Sequence, residues 1–211
     1  MKTALIIGGT GLVGKELTAL LLNDNRYSQI ISLVRKPLER INEKLVQLPF
    51  NFDKPDPSVI VANELFCCLG TTIKAAGNKQ SFYKVDHDYI INIARLAYLN
   101  GIKKMALVSS IGAEKDSRIF YNNTKGITED DAMQIGFESL FILRPSILLG
   151  HRSESRPGEA IGKFLMVNLA FILPKNYRPV KGKQVARAMI EMMNSGKVGT
   201  HILESASIAA L

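Results

Sequence analysis

The chain has 211 residues, of which 46% are apolar and 22% charged; 27 basic and 19 acidic side chains leave a net charge of +8. That balance suits one domain and excludes a disordered, collagen-like or coiled-coil chain. No apolar run reaches the ~20 residues that span a bilayer, and the basic residues are scattered, with no Lys/Arg block to track a nucleic acid. The surplus therefore suits a solvated surface and an anionic small ligand.

In chain order, residues 3–8 are a continuous apolar run, as in a strand buried on both faces. They lead straight into a glycine-rich turn, so they read as a first strand and not as a signal peptide. Residues 12–22 carry apolar side chains at helical spacing, and 30–34 and 58–69 are a second and a third strand region. A helix over 82–99 stops at Asn100-Gly101. A strand at 105–109, a helix over 117–135 and a strand at 140–143, ending at Arg144-Pro145, continue the alternation. Beyond it, 151–159 is polar, 158–173 and 185–193 read as helices, and 199–204 as a last short strand. Strands separated by helices of this length predict an α/β fold with a doubly wound parallel sheet. One domain spans 1–211, and 146–198 supplies a small substrate-side cap. Cys67 and Cys68 are adjacent, which rules out a long-loop disulfide, and no Cys/His set has zinc spacing. Both read as core strand residues, as Met189, Met192 and Met193 read as packing residues of a late helix. No metal site is expected. With no targeting signal in view, a reducing cytoplasmic location is expected.

The turn Gly8-Gly9-Thr10-Gly11-Leu12-Val13-Gly14 joins the first strand to the first helix. Gly9, Gly11 and Gly14 fit G-x-G-x-x-G, and Gly8, Gly11 and Gly14 a second glycine spacing. Such a turn lets the backbone approach a pyrophosphate closely and aims a helix N-terminus at it. The second strand ends in Arg35-Lys36, where an NAD-binding chain would carry a carboxylate for the ribose hydroxyl. Two cations there suit a 2′-phosphate, with Arg35 shaped for forked contact, so NADP(H) is favoured over NAD(H). Asp53 is a weaker candidate for an adenine contact.

Tyr121 and Lys125 are spaced i and i+4, on one face of a helix. A free phenol, with a pKa of about 10, is a poor acid–base group at neutral pH, and a neighbouring ammonium favours its ionised form. Tyr121 can then exchange a proton with a carbonyl or alcohol oxygen while a hydride moves. Ser109 and Ser110 end the preceding strand, where the ligand crevice of a doubly wound sheet lies. Either hydroxyl can hold the substrate oxygen, with Ser110 preferred.

These features, with Cys67-Cys68-Leu69-Gly70-Thr71-Thr72, Val85-Asp86-x-x-Tyr89, Ser109-Ser110-x-Gly112-Ala113, Tyr121-x-x-x-Lys125-Gly126, Arg144-Pro145 and the run from Arg152 to Glu159, make the chain resemble the atypical short-chain dehydrogenase/reductases. Within these it is similar to the Tat-interacting-protein oxidoreductases and their bacterial relatives. The resemblance implies a Rossmann fold binding NADPH, with Thr10, Gly11, Leu12 and Val13 over the pyrophosphate and Arg35 on the 2′-phosphate. It implies Leu69 and Gly70, with Thr71 after them, beside the cofactor. Leu148 and Arg156 would lie near the nicotinamide half, and Tyr121 and Lys125 would be the acid–base pair.

The expected function is NADP(H)-dependent oxidoreduction of a small carbonyl or alcohol substrate. About 65 residues follow Pro145, little material to enclose a nucleotide sugar. Alternatives are an NADPH-binding regulator without turnover and epimerase- or dehydratase-like chemistry on a sugar nucleotide. No nucleic-acid or membrane partner is expected, and a homodimer is possible by analogy with related folds. Asp86 is either a brace for the active-site helix or an exposed acid. His151 reads as a surface loop residue near the crevice, and Arg152 and Arg156 either meet an anionic substrate group or cofactor phosphate or pair with Glu154 and Glu159.

Overall fold

The computed structural model describes residues 1–38, 42–149 and 174–211. Its centre is a seven-stranded parallel sheet of β1 (Lys2–Ile7), β2 (Tyr27–Val34), β3 (Leu45–Pro49), β4 (Glu64–Cys67), β5 (Lys104–Val108), β6 (Ser139–Arg144) and β9 (Gly199–Glu204). The strand order is β3-β2-β1-β4-β5-β6-β9, so the chain winds outward twice from the β1/β4 junction. Short β7 (Leu148–Leu149) and β8 (Val180–Lys181) pair separately.

Alternation within each strand builds the two helical layers. Successive side chains point to opposite faces. Ala4 and Ile6 of β1 join the cluster that contains Leu17 and Leu21 of α1 (Leu12–Leu22) and Val185, Met189 and Met193 of α6 (Gly182–Met193). Leu5 and Ile7 join the opposite cluster, with Ile90, Ile93 and Ala94 of α4 (Tyr89–Leu99) and Ala132 of α5 (Phe120–Gln134). Burial on both faces makes the central strands read as unbroken apolar runs. The methionines at 189, 192 and 193 are buried packing residues.

Three expectations change. The strand β3 lies before the region in which a third strand was expected, and region 58–69 contributes only Glu64–Cys67 to the sheet. Residues Pro57–Val59 form a 3₁₀ turn instead, capped by the Asp56 side chain accepting from Ser58 N. The helix expected over 82–99 is longer and uneven: after a short α2 (Ile73–Ala76), α3 (Lys79–Tyr83) runs through a π-helical turn (Lys84–Asp88) into α4. Asn100 and Gly101, with φ +90°, end it as expected. Within 146–198, α6 packs beside α1 in the main helical layer, and a Cβ on Gly182 would lie 2.4 Å from Leu12 Cδ2. Residues 150–173, with Arg156, His151, Arg152, Glu154 and the expected 158–173 helix, lie outside the described residues. After β9 the chain forms α7 (Ser205–Ala210).

Candidate active site

All strands of the main sheet run the same way, so their carboxyl ends line up. The chain reverses direction of winding between β1 and β4, and that junction opens a crevice. The glycine turn shapes it. Gly8 has φ +80°, and a Cβ there would lie 2.4 Å from the Cys68 carbonyl carbon, so only glycine lets the ends of β1 and β4 meet. A Cβ on Gly14 would lie 2.2 Å from Gly8 O, which seats α1 directly on the turn. Gly11 caps α1 with no side-chain bond, and the first turn carries no acid. The free amides and positive dipole end of α1 therefore remain open to an anion.

A cleft of about 300 Å³ lies at this junction. Of the expected residues, Thr10, Gly11, Leu12 and Val13 line it from the turn, Leu69, Gly70 and Thr71 from the loop after β4, and Leu148 from β7. Ser109, Tyr121 and Lys125 complete the wall. Gly8, Gly9 and Gly14 lie behind it and shape the backbone. Lys15, unmarked by sequence reading, lines both this cleft and a small hollow bounded by Gly9, Thr10, Ser32, Leu38 and Gln47. Arg35 and Lys36 are exposed beyond the end of β2. Neither of them lines the cleft or the hollow.

The acid–base helix is α5. Tyr121 is half-buried, its ring 5.5 Å from that of Phe82. Lys125, one turn on, is buried, with Nζ 2.6 Å from Asp86 Oδ1. Burial works to strip its proton, but the neighbouring Asp86 carboxylate opposes that, and the pKa of Lys125 is held above the ordinary lysine value. Asp86 is fully buried, not an exposed helical acid.

The two serines separate. Ser109 is buried in the cleft wall and donates its hydroxyl hydrogen to Glu129 Oε1. Ser110 does not line the cleft, and its hydroxyl lies 3.3 Å from Ile111 O. Glu129 is itself buried and gripped by Arg144 through Nε at 3.1 Å and a terminal nitrogen at 2.6 Å, with Glu204 3.4 Å from the same guanidinium. This chain escaped sequence reading, although Glu129 sits four residues past Lys125 on the same helix face. Asp53 is engaged elsewhere, accepting from Tyr89 Oη at 2.8 Å and paired with Lys84 Nζ at 2.6 Å. Cys67 is a core residue whose thiol burial pushes up to about 12. No metal-binding cluster occurs among the described residues.

No family model matches the chain. It is 34% identical over 217 residues to protein HTATIP2 of Rattus norvegicus, covering all of this chain and 89% of the relative. It is 31% identical to the mitochondrial protein FMP52 of Eremothecium gossypii, covering 99% of this chain and 96% of the relative. Among solved structures, MoeE5 in complex with UDP-glucose and NAD superposes with a TM-score of 0.72 at 14% identity, over 95% of this chain and 75% of that one. A UDP-N-acetylglucosamine 4-epimerase of Methanobrevibacter ruminantium follows at 0.71 and 16%, over 96% and 76%. The fungal relatives are named mitochondrial, which overturns the expected cytoplasmic location. That expectation rested on a missing targeting signal alone, and no described helix is long and apolar enough to cross a membrane. With two such relatives spanning its whole length, the chain belongs to the HTATIP2/FMP52 family, an atypical group of short-chain dehydrogenase/reductases.

Proposed function

We propose that the protein is an NADP(H)-dependent oxidoreductase that interconverts a small carbonyl compound and its alcohol. The observation that carries this reading is a single cleft joining an open helix N-terminus to a Tyr–Lys pair. The residues fit a dinucleotide: Gly8 and Gly14 leave room only for backbone at the pyrophosphate turn, and Lys15, Arg35 and Lys36 offer cations toward the ribose end. Bound there, the nicotinamide supplies the hydride chemistry. Tyr121 gives its phenolic proton to the carbonyl oxygen, or takes one from the alcohol. Lys125 presents a fixed positive charge to Tyr121. The hydrogen of Ser109 is committed to Glu129, so its oxygen faces the cleft as an acceptor for a substrate or Tyr121 hydroxyl.

The test is a fluorescence titration with NADPH and NADH, on wild type and Arg35→Ala. Selective loss of NADPH affinity in the variant, followed by NADPH oxidation in a carbonyl screen that Tyr121→Phe abolishes, supports the reading. Binding without turnover moves the protein to a second reading, an NADPH-responsive regulator. What favours that reading is that Ser109 and Lys125 are both already engaged by carboxylates. Failure to bind either nucleotide sinks both.

A further inference from the structure

Tyr121, Lys125 and Glu129 follow one another at four-residue steps along one face of α5. The first two line the cleft, and the third is buried behind Ser109. Glu129 is ion-paired with Arg144, which donates to it from Nε at 3.1 Å and from a terminal nitrogen at 2.6 Å. A carboxylate only accepts hydrogen bonds, so in its contact with Ser109 the serine is the donor. That bond is charge-assisted, and breaking it would leave a buried acceptor short of a partner. The Ser109 amide is likewise engaged, donating to Leu143 O at 2.8 Å. Ser109 is 7% exposed, and what it presents to the cleft is an oxygen with free lone pairs and a hydrogen already given away. Such an oxygen has nothing to donate to a carbonyl; it receives a hydrogen bond from a ligand.

We propose that the substrate is a hydroxycarbonyl compound, interconverted with its diol, whose second hydroxyl donates to Ser109 Oγ while Tyr121 serves the reacting oxygen. This rests on the oxidoreductase reading of the site. In reduction the carbonyl carbon takes a hydride from the nicotinamide and the carbonyl oxygen takes the Tyr121 proton, so one C–H and one O–H bond form and NADPH becomes NADP+. Tyr121 recovers its proton from solvent. The second hydroxyl breaks no bond; it only pairs with Ser109. A ligand without that hydroxyl leaves the serine oxygen unpaired in the cleft wall, and an unpaired polar group of the site is what rejects an analogue. Val108 and Leu148, in the same wall, suit the carbon skeleton. Glu129 is a positioning residue: it acts through Ser109, by holding the hydroxyl hydrogen away from the ligand.

The probes are butan-2-one, 3-hydroxybutan-2-one, 4-hydroxybutan-2-one and 3-methoxybutan-2-one, each with NADPH, and kcat/KM is compared. In wild type the better hydroxy ketone is expected to exceed both butan-2-one and the methoxy ketone by about tenfold or more, since a methoxy oxygen has no hydrogen to donate. In Ser109→Ala the ratio of hydroxy ketone to butan-2-one should fall to about one. Glu129→Gln, which keeps an acceptor for the serine hydroxyl, should retain the wild-type preference. Glu129→Ala, which frees the hydroxyl hydrogen, should let the methoxy ketone draw level with the hydroxy one. Butan-2-one or the methoxy ketone reduced by wild type as well as the hydroxy ketones overturns the proposal, and so does a preference that survives Ser109→Ala. A wild-type preference retained in Glu129→Ala overturns the part given to Glu129. Should the variants not fold, the wild-type ratios decide alone. If wild type reduces no ketone, the oxidoreductase reading fails by itself, and ligand-observed NMR with butane-2,3-diol judges Ser109. Diol binding that Ser109→Ala weakens supports a hydroxyl acceptor there; binding that is absent, or equal in the two proteins, overturns it.

Discussion

Two residues show how little freedom the site leaves. Gly14 touches the backbone of Gly8, and no flexible side chain is there to yield. Gly14→Ala is expected to cost about 3 kcal/mol and to weaken NADPH binding, read by urea denaturation and fluorescence titration; an unchanged midpoint would show that the turn is not tightly seated. Glu129 satisfies Ser109 and Arg144 together from a buried position. Among the described residues, Glu129→Ala leaves the Arg144 charge with only the partly exposed Glu204 at 3.4 Å, so a loss of about 3 kcal/mol is expected. Glu129→Gln keeps an acceptor for Ser109 and should cost less. Equal losses in the two variants would mean that charge, and not the Ser109 bond, is what Glu129 supplies. The glycines were legible because their spacing is local. Glu129 was not, since its partners come from strands far away in the chain.

Elements are joined at the other end of the sheet by a second buried polar group. Glu64 of β4 accepts from Tyr27 Oη of β2 at 2.6 Å and from Lys2 Nζ of β1 at 2.7 Å, while Asn194, after α6, donates to Tyr27 Oη at 3.0 Å. This cluster clamps α6 to three strands at the pole opposite the cleft. Tyr27→Phe removes one donor from a buried carboxylate and is expected to cost about 1–3 kcal/mol, with cofactor affinity unchanged. A drop in affinity at equal stability would show that the two poles communicate. The edge strand β3 illustrates the opposite case. Four of its five residues are half-buried and Pro49 is exposed, so it lacks the continuous apolar run that announces a central strand.

At the scale of the molecule, alkaline pH is the vulnerable side. Burial raises Cys67 to about 12, burial and Glu64 push Tyr27 far above a free phenol, and Lys125 lies above an ordinary lysine. Each holds its proton more tightly folded than unfolded. Its contribution is therefore intact below its unfolded pKa and is lost as pH rises toward the folded value. Stability should begin to fall above pH about 8.5, where free thiols ionise, and Cys67→Ala should flatten the first part of that fall in a series of thermal melts. A flat melting temperature from pH 8 to 10.5 would refute it. NADPH at 100 times its Kd is expected to add about 2.7 kcal/mol, which raises Tm by about 5–10 °C for a chain of this size.

The alternation of strands and helices outside β3, the glycine turn and the Tyr–Lys spacing are properties of short stretches, and the sequence by itself determined them. Residues 3–8 and 12–22 read correctly because burial on both faces of a strand, and on one face of a helix, writes a period into neighbouring residues. Only the tertiary structure decided which serine faces the cleft, that Asp53 turns away to Lys84 and Tyr89, and that Asp86 is buried against Lys125. An isolated acid on a helix looks the same in sequence whether it meets water or a lysine 39 residues away. The difference lies in desolvation and pairing, which arise only when β4, α4 and α5 pack together.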